Sequence, residues 1–397
     1  MTATEEISAT AAQKISIWRR VAQVAMLLAA ALLVYSVLAH LVDDQKSANC
    51  DFIEYWASAW QLAHGANPYD IEAVYRLELA HGMPASGPLL SFSPPVALCA
   101  TLPFGWMSAK NGLILWKMVA MGCILLTLNL LGRLPGRKNS PWNVLVFAFP
   151  PVWLCLMSGQ IGIFFLLDVT LFLLFYRKRP WLAGASMLFC ALKPHLFLPC
   201  FLVLAVDTVR RRDFRILAGL ALALALSSGL TLLFDPLVWI QYRAMMRQTH
   251  TLEIFLPTLG SALRFGLRPD WKWLEFLPEV LACVWASWYY WTRRERWQWD
   301  REGLLVLLAG LVCTPYSFFT DQALLFPVIL AGIDAARKSV AAWTLLALLA
   351  LGCLPGAIVP YQLPSPFYLW TAPAWMIWYL FATRKRTLPT QSASAQP

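Results

Sequence analysis

Apolar runs, each edged by lysine and arginine, recur along the chain from Ile17 to Thr383. A hydrocarbon core about 30 Å thick needs roughly 20 apolar residues per helical crossing, and the backbone inside it must satisfy its own hydrogen bonds. Repeated runs of this kind leave a helical bundle in a bilayer as the fold. Composition agrees, because 59% of the 397 residues are hydrophobic, only 14% are charged and 20 are tryptophan. The net charge of +10 is not spread as a nucleic-acid-binding surface would require. Clusters at Lys14/Arg19/Arg20, Arg133/Arg137/Lys138, 177–179, 210–215, 293–301, Arg337/Lys338 and 384–386 hold 22 of the 32 basic residues. All sit at the edges of apolar runs, which is the positive-inside pattern and places the seven clusters on the cytoplasmic side.

Returning to one side between clusters requires an even number of crossings. The runs at 17–42, 109–131, 141–157, 161–176, 180–192, 195–209, 214–234, 274–292, 303–317, 322–335, 340–358 and 367–383 predict an all-α polytopic protein of about twelve spans. Both termini then face the cytoplasm of a cell whose inner (plasma) membrane holds the chain. One membrane domain is expected over 1–386, followed by a disordered tail at 387–397. Two stretches fall outside the cell, 43–108 and 235–273. The first run lacks a clear small-residue cleavage site and reads as an uncleaved anchor. Nine cysteines without C-x-x-C spacing behave as small hydrophobes, with neither a disulfide framework nor a zinc site implied.

Within the first outer stretch, Phe52, Tyr55, Trp56, Ala59 and Leu62 keep helical spacing, as do Ile71, Val74, Tyr75 and Leu79, with the turn GANPYD between them. Two short helices at the outer interface are predicted. Pro94, Pro95 and Pro103 argue against an uninterrupted helix in the segment that follows, so a short dip toward the membrane is expected there.

Sorted by depth, most polar residues beside apolar runs fall on the outer face: Asp51, Glu54 and Tyr55; Gly159 and Gln160; Lys193 and His195; Asp321 and Gln322. Ionisable groups at membrane depth are costly and mark function, so one extracytoplasmic site is expected. The second outer stretch adds WIQYRAMMRQTH, where a helix would put Arg243, Arg247 and His250 on one face and Trp239, Tyr242 and Met246 on a neighbouring apolar stripe. A basic face above an apolar one suits a lipid phosphate whose tail stays in the bilayer, or a general headgroup surface. Asp168 and Lys117 fall near the middle of spans and admit a buried pair. They are the main support for a second class, a proton-coupled transporter or polyprenyl-lipid flippase.

The ordered series D-F-x-x-Y-x-A, G-x-N-P-Y, S-F-S-P-P, G-Q and K-P, over roughly 50–200, resembles glycosyltransferase family 87, the polyprenyl-phosphate-mannose-dependent α-mannosyltransferases and their relatives. The resemblance implies a GT-C-like architecture and transfer of a sugar, mannose or arabinofuranose, from a polyprenyl phosphate to a glycolipid or cell-envelope glycan. It also implies a carboxylate of the first outer loop as catalytic base, a role that Asp51 matches. Because a lipid phosphate leaves as a stable anion, the site needs a cation rather than a second acid. Lys193 and His195 are the candidates, with Arg243, Arg247 and His250 as further donor-phosphate ligands. Glu54, Tyr55, Gln160 and Asp321 are expected to contact substrate, although Tyr55 equally suits an interface anchor and Gln160 a helix cap. No P-loop, dinucleotide turn or nucleic-acid motif is apparent, and no metal or other cofactor is required. The outer carboxylates Asp51, Asp70, Glu72 and Glu78 have no dedicated metal-ligand spacing.

Overall fold

A computed structural model describes residues 50–84, 87–134, 141–249, 254–336 and 339–384. The predicted first span, the predicted disordered tail, His250 and the basic residues at 14, 19, 20, 137, 138, 337, 338, 385 and 386 lie outside these residues. Every regular element among the described residues is helical. The α-helices that matter here are α1 (Phe52–Ala63), α2 (Ile71–Ala80), α3 (Pro95–Gly105), α4 (Ala109–Leu131), α5 (Pro150–Ser158), α6 (Gly162–Phe175), α7 (Pro180–Ala185), α8 (Pro194–Arg211), α9 (Arg215–Phe234) and α10 (Val238–Gln248). They are followed by α11 (Leu259–Leu267), α12 (Leu277–Arg293), α13 (Glu302–Cys313), α14 (Phe326–Ala335), α15 (Val340–Ile358) and α16 (Thr371–Thr383).

Among the described residues three helices, α4, α9 and α15, are long and apolar enough to cross a bilayer, and α3, α6 and α13 are shorter apolar helices. The chain is thus built as a helical membrane protein, but the expected count of twelve spans has no counterpart in these helix lengths. Proline accounts for one shortfall. The run 141–157 divides at Phe149 into a 3-10 helix, Pro141–Ala148, and α5, because Pro150 forces the preceding residue out of helical geometry (φ −84°, ψ 109°). The run 180–192 divides likewise into α7 and a 3-10 turn, Cys190–Leu192.

The opposite correction applies to 94–108, where α3 is unbroken. Pro95 occupies its first turn, where a missing N–H costs nothing, and Pro103 falls two residues before the helix ends.

Helix α1 runs beside the N-terminal turns of α4, antiparallel to it. Cys50 lies next to Lys117, Phe52 and Trp56 crowd Gly112, and the Trp56 indole donates to the Met107 carbonyl at 3.0 Å. The start of α1 therefore sits about eight residues, roughly 12 Å, along α4 from its first turn. An aromatic cluster fixes this arrangement: Trp116 of α4 meets Phe52, Tyr55, Phe104 and Phe164 at centroid distances of 5.4, 5.8, 5.3 and 4.9 Å. Such ring pairs contribute about 0.5–1.5 kcal/mol each beyond burial, a contribution that matters in a bilayer, where the hydrophobic effect does not drive helices together.

A close approach joins α6 to the segment that precedes α14. The first residue of α6, Gly162, lies against the Thr320 carbonyl, where an added Cβ would meet oxygen at 2.5 Å. That contact brings α6 onto the 3-10 helix Phe319–Leu325, which carries Asp321. Replacing Gly162 by Val is therefore expected to lower stability by about 1–3 kcal/mol, read as a lower melting temperature in detergent. Gly122→Ala, where a Cβ meets nothing within 4 Å, should leave the melting temperature unchanged or raised. Equal behaviour of the two variants would refute this account of the α6 contact.

Candidate active site

Asp51 occupies the N-cap position of α1, the place where an aspartate usually spends its carboxylate on the helix's free amides. Here it makes no such side-chain cap. The carboxylate faces the side chains of Gln160 and Ser158 instead, the Ser158 hydroxyl being without a hydrogen bond among the described residues, and Lys193 is close enough to act on its charge. Burial raises its pKa above the ordinary aspartate value, while those three neighbours pull it back. One turn along α1, burial and the adjacent Asp51 push Glu54 up to about 8, opposed by the polar Tyr55 hydroxyl nearby and by the charge of Lys193. Glu54 is therefore protonated at neutral pH when Asp51 is the ionised member of the pair.

Tyr55 donates its hydroxyl to Gln160 Oε1 at 2.8 Å, which leaves the Gln160 amide nitrogen for Asp51. Gln160 is held by the turn that ends α5. Gly159 adopts φ 73°, and a Cβ there would lie 2.7 Å from that of Phe52, so both conformation and space demand glycine. The Trp116 indole donates to the Gly159 carbonyl at 2.8 Å, and the Gln160 amide donates to Cys155 at 3.0 Å. One side of α4 thus clamps both α1 and the turn that faces it.

The third arm comes from far along the chain. Lys193 Nζ donates to Asp321 Oδ1 at 2.8 Å, with side chains only 15% and 1% exposed. Asp321 Oδ2 accepts the Phe318 amide at 2.9 Å. Both carboxylate oxygens are occupied, so Asp321 holds Lys193 rather than presenting a free group. The ammonium lies 5.8 Å from the Phe165 ring and 6.0 Å from that of Phe318. His195 stands edge-on to Tyr316 at 5.6 Å, and its buried Nε2 has no hydrogen-bond partner among the described residues.

Asp51, Glu54, Tyr55, Gln160, Lys193, His195 and Asp321 are thereby brought into one neighbourhood. Two further members carry no sequence signal of their own. Ser158 ends an apolar helix, and Tyr316, within electrostatic reach of Glu54, Asp321 and Asp51, reads as an interfacial aromatic.

Arg243 and Arg247 are not drawn in. They lie exposed on α10, and among the described residues neither is hydrogen-bonded or ion-paired to the residues around Asp51. Helix α10 forms as expected, but its buried face carries Val238 and Met245, while Met246 is 38% exposed. Tyr242 donating to the Phe92 carbonyl at 3.2 Å and Trp239 donating to Ser228 Oγ at 2.8 Å set that rotation.

The remaining outer carboxylates do not gather with Asp51 into a metal site. Asp70 caps α2 through the Ala73 amide at 3.0 Å, Glu72 pairs with Arg76 at the surface, and buried Glu78 accepts the Leu89 amide at 3.1 Å. Among the described residues no cluster of three or more His, Cys, Asp or Glu is placed to hold an ion. Asp168 and Lys117 do not form the mid-span pair that a carrier would favour. Asp168 accepts the Cys190 amide, and Lys117, within electrostatic reach of Cys50, has no hydrogen-bond partner for its amine among the described residues.

Removing one member of a buried ion pair strands the other charge, at a cost of about 3–5 kcal/mol, whereas replacing both by apolar groups costs far less. Asp321→Leu should therefore destabilise the protein more than the double variant Lys193→Met/Asp321→Leu, measured by thermal unfolding. A double variant as unstable as the sum of the singles would show that the two residues are not coupled.

Residues 92–317, more than half of the chain, match the model of glycosyltransferase family 87. The match contains Gln160, Lys193 and His195 and stops short of Asp321, while Asp51, Glu54 and Tyr55 precede it. It also extends well past residue 200, where the motif series of the sequence ends. Comparison with curated proteins and with solved structures gave no match. A family match over this length, on a helical membrane fold, makes the chain a member of glycosyltransferase family 87.

Proposed function

We propose that the protein transfers a sugar, mannose in the first instance, from a polyprenyl phosphate to a hydroxyl of a glycolipid or cell-envelope glycan at the extracytoplasmic face of the inner membrane. The observation that carries this reading is an uncapped carboxylate, Asp51, within electrostatic reach of the Lys193 ammonium in a family 87 helical bundle. Asp51 takes the proton of the acceptor hydroxyl as its oxygen attacks the anomeric carbon. In the same displacement the bond from that carbon to the phosphate oxygen breaks, and the lipid phosphate departs as an anion. Attack from the face opposite the leaving group inverts the anomeric configuration. Burial raises the basicity of Asp51, which strengthens it as a proton acceptor. Lys193, set against Asp321 and partly desolvated, stabilises the departing phosphate more strongly than it would in water. His195 offers its free Nε2 to the same oxygens. The exposed Arg243 and Arg247 suit attraction of anionic lipid headgroups from outside the site.

Glu54 has a different part in this scheme. Protonated at neutral pH, it is a hydrogen-bond donor for a substrate hydroxyl and not a base. As pH rises through about 8 it ionises beside Asp51, and the donor is lost. Turnover should therefore decline on the alkaline side of about pH 8, and Glu54→Gln should remove that decline while raising the acceptor KM. A wild-type alkaline limb that persists unchanged in Glu54→Gln would assign it to another group.

Asp51→Asn keeps the shape and removes the base. Transfer should fall by roughly 10²–10⁴-fold with donor binding retained. Activity near that of the parent would remove Asp51 from the mechanism. Lys193→Ala should raise the donor KM far more than the acceptor KM, with partial recovery in Lys193→Arg. The sidedness is tested separately by labelling single cysteines with an impermeant reagent on intact cells. Positions 70 and 247 should react from outside and positions 178, 211 and 294 only after permeabilisation. Protection of position 70 on intact cells would contradict an outward-facing site.

A further inference from the structure

Asp168 is buried, 5% exposed, in the middle of α6, and the transfer chemistry above gives it no task. Its surroundings do. Helix α6 begins at Gly162, two residues after Gln160, and three of its residues reach the same neighbouring segment, 189–193, which links α7 to α8. Phe164 stacks on Phe189 at 4.9 Å with an interplanar angle of 17°. The ring of Phe165 lies beneath the Lys193 ammonium at 5.8 Å. Asp168, one turn further along the same side, accepts the Cys190 amide at 3.1 Å through Oδ2, with the Phe189 amide and Cys190 thiol also against it.

The segment so held is unusual for a bundle interior. Between α7 and α8 the backbone is a turn followed by a three-residue 3-10 helix, and Lys193 itself is outside both helices at φ −121°, ψ 68°. Irregular backbone within a lipid-embedded bundle needs protein partners for its amides, because no water is there to supply them. A carboxylate in mid-bundle meets that need only if it is tied to a specific donor.

From this arrangement we infer that Asp168 is a positioning residue for Lys193: by fixing the Cys190 amide it sets the 3-10 turn that delivers the ammonium to Asp321 and to the donor phosphate. The final clause rests on the donor-site reading of Lys193; the positioning of Lys193 does not. The acceptor oxygen is the operative feature, so Asp168→Asn, which keeps an oxygen for the amide, preserves the turn. Asp168→Ala removes it and frees the segment that ends in Lys193.

The test uses the full-length protein in lipid nanodiscs. Peptide mapping by mass spectrometry reads the reactivity of Cys190 toward a maleimide and of Lys193 toward an amine acylating reagent, while kinetics with a polyprenyl-phosphate hexose read the donor KM. In Asp168→Ala, both reactivities should rise about tenfold or more and the donor KM should rise by about tenfold, with kcat changed less than about threefold. Asp168→Asn should match the parent in all three. Should the alanine variant fail to accumulate, Asp168→Ser, whose shorter side chain cannot reach the amide, takes its place under the same readouts.

An Asp168→Asn variant that behaves like the alanine variant would overturn the inference. So would an alanine variant in which Cys190 becomes reactive and Lys193 does not. Lys193→Ala run beside them separates the two layers: if it leaves the donor KM untouched, the donor-site reading fails, and the Lys193 reactivity of the Asp168 variants still decides whether Asp168 positions it.

Discussion

The Lys193–Asp321 ion pair joins parts of the chain 128 residues apart, and both side chains are largely shielded from solvent. Two charges taken out of water inside a helical bundle hold only if each is fully met, and the surrounding structure is arranged to meet them. Asp321 has the Phe318 amide for its second oxygen, and Lys193 has the rings of Phe165 and Phe318 around its ammonium. The close seating of Gly162 against Thr320 allows these segments to approach. A pair of this kind adds little net stability over an apolar core but makes wrong registers expensive. Its consequence for chemistry is a cation in a fixed place, with enough exposure left to meet an incoming anion.

Opposite it, Trp116 organises the acidic side. By packing on Phe52 and Tyr55 and donating to the Gly159 carbonyl, it ties the start of α1 to the turn that carries Gln160. Asp51 is left with its carboxylate free of capping duty and Glu54 with a neighbour that opposes its ionisation. Two carboxyls three residues apart thus meet different surroundings: Gln160, Ser158 and Lys193 favour a charge on Asp51, whereas Asp51 itself opposes one on Glu54.

Much of this was legible in the sequence, for identifiable reasons. Helical spacing marked α1 and α2, and α4 occupies the residues of its predicted run, since apolar periodicity is local information. Depth sorting brought Asp51, Gln160, Lys193 and Asp321 to one end because an ionisable group beside an apolar run has few places to go. The partners were not legible. Which oxygen Lys193 meets, that Ser158 turns toward Asp51, and that Asp168 serves the Cys190 amide rather than Lys117 all depend on contacts between distant segments. The same limit explains α10, where the Phe92 carbonyl, 150 residues from Tyr242, decides that Met245 and not Met246 faces inward. Proline was read too simply in both directions: it divides 141–157 at Phe149 and leaves α3 whole, because its effect depends on where in the turn it falls.

The central claim is that the Asp51–Lys193 neighbourhood cleaves a polyprenyl-phosphate sugar and not a nucleotide sugar. The most direct measurement incubates the purified protein with a panel of polyprenyl-phosphate sugars and, in parallel, nucleotide sugars, together with an extract of cell-envelope glycolipids, and follows the leaving groups by mass spectrometry. Acceptor-dependent release of polyprenyl phosphate from one member of the panel, with the nucleotide sugars intact, is the predicted result. Consumption of a nucleotide sugar with release of nucleotide, and no polyprenyl phosphate from any donor, would contradict it.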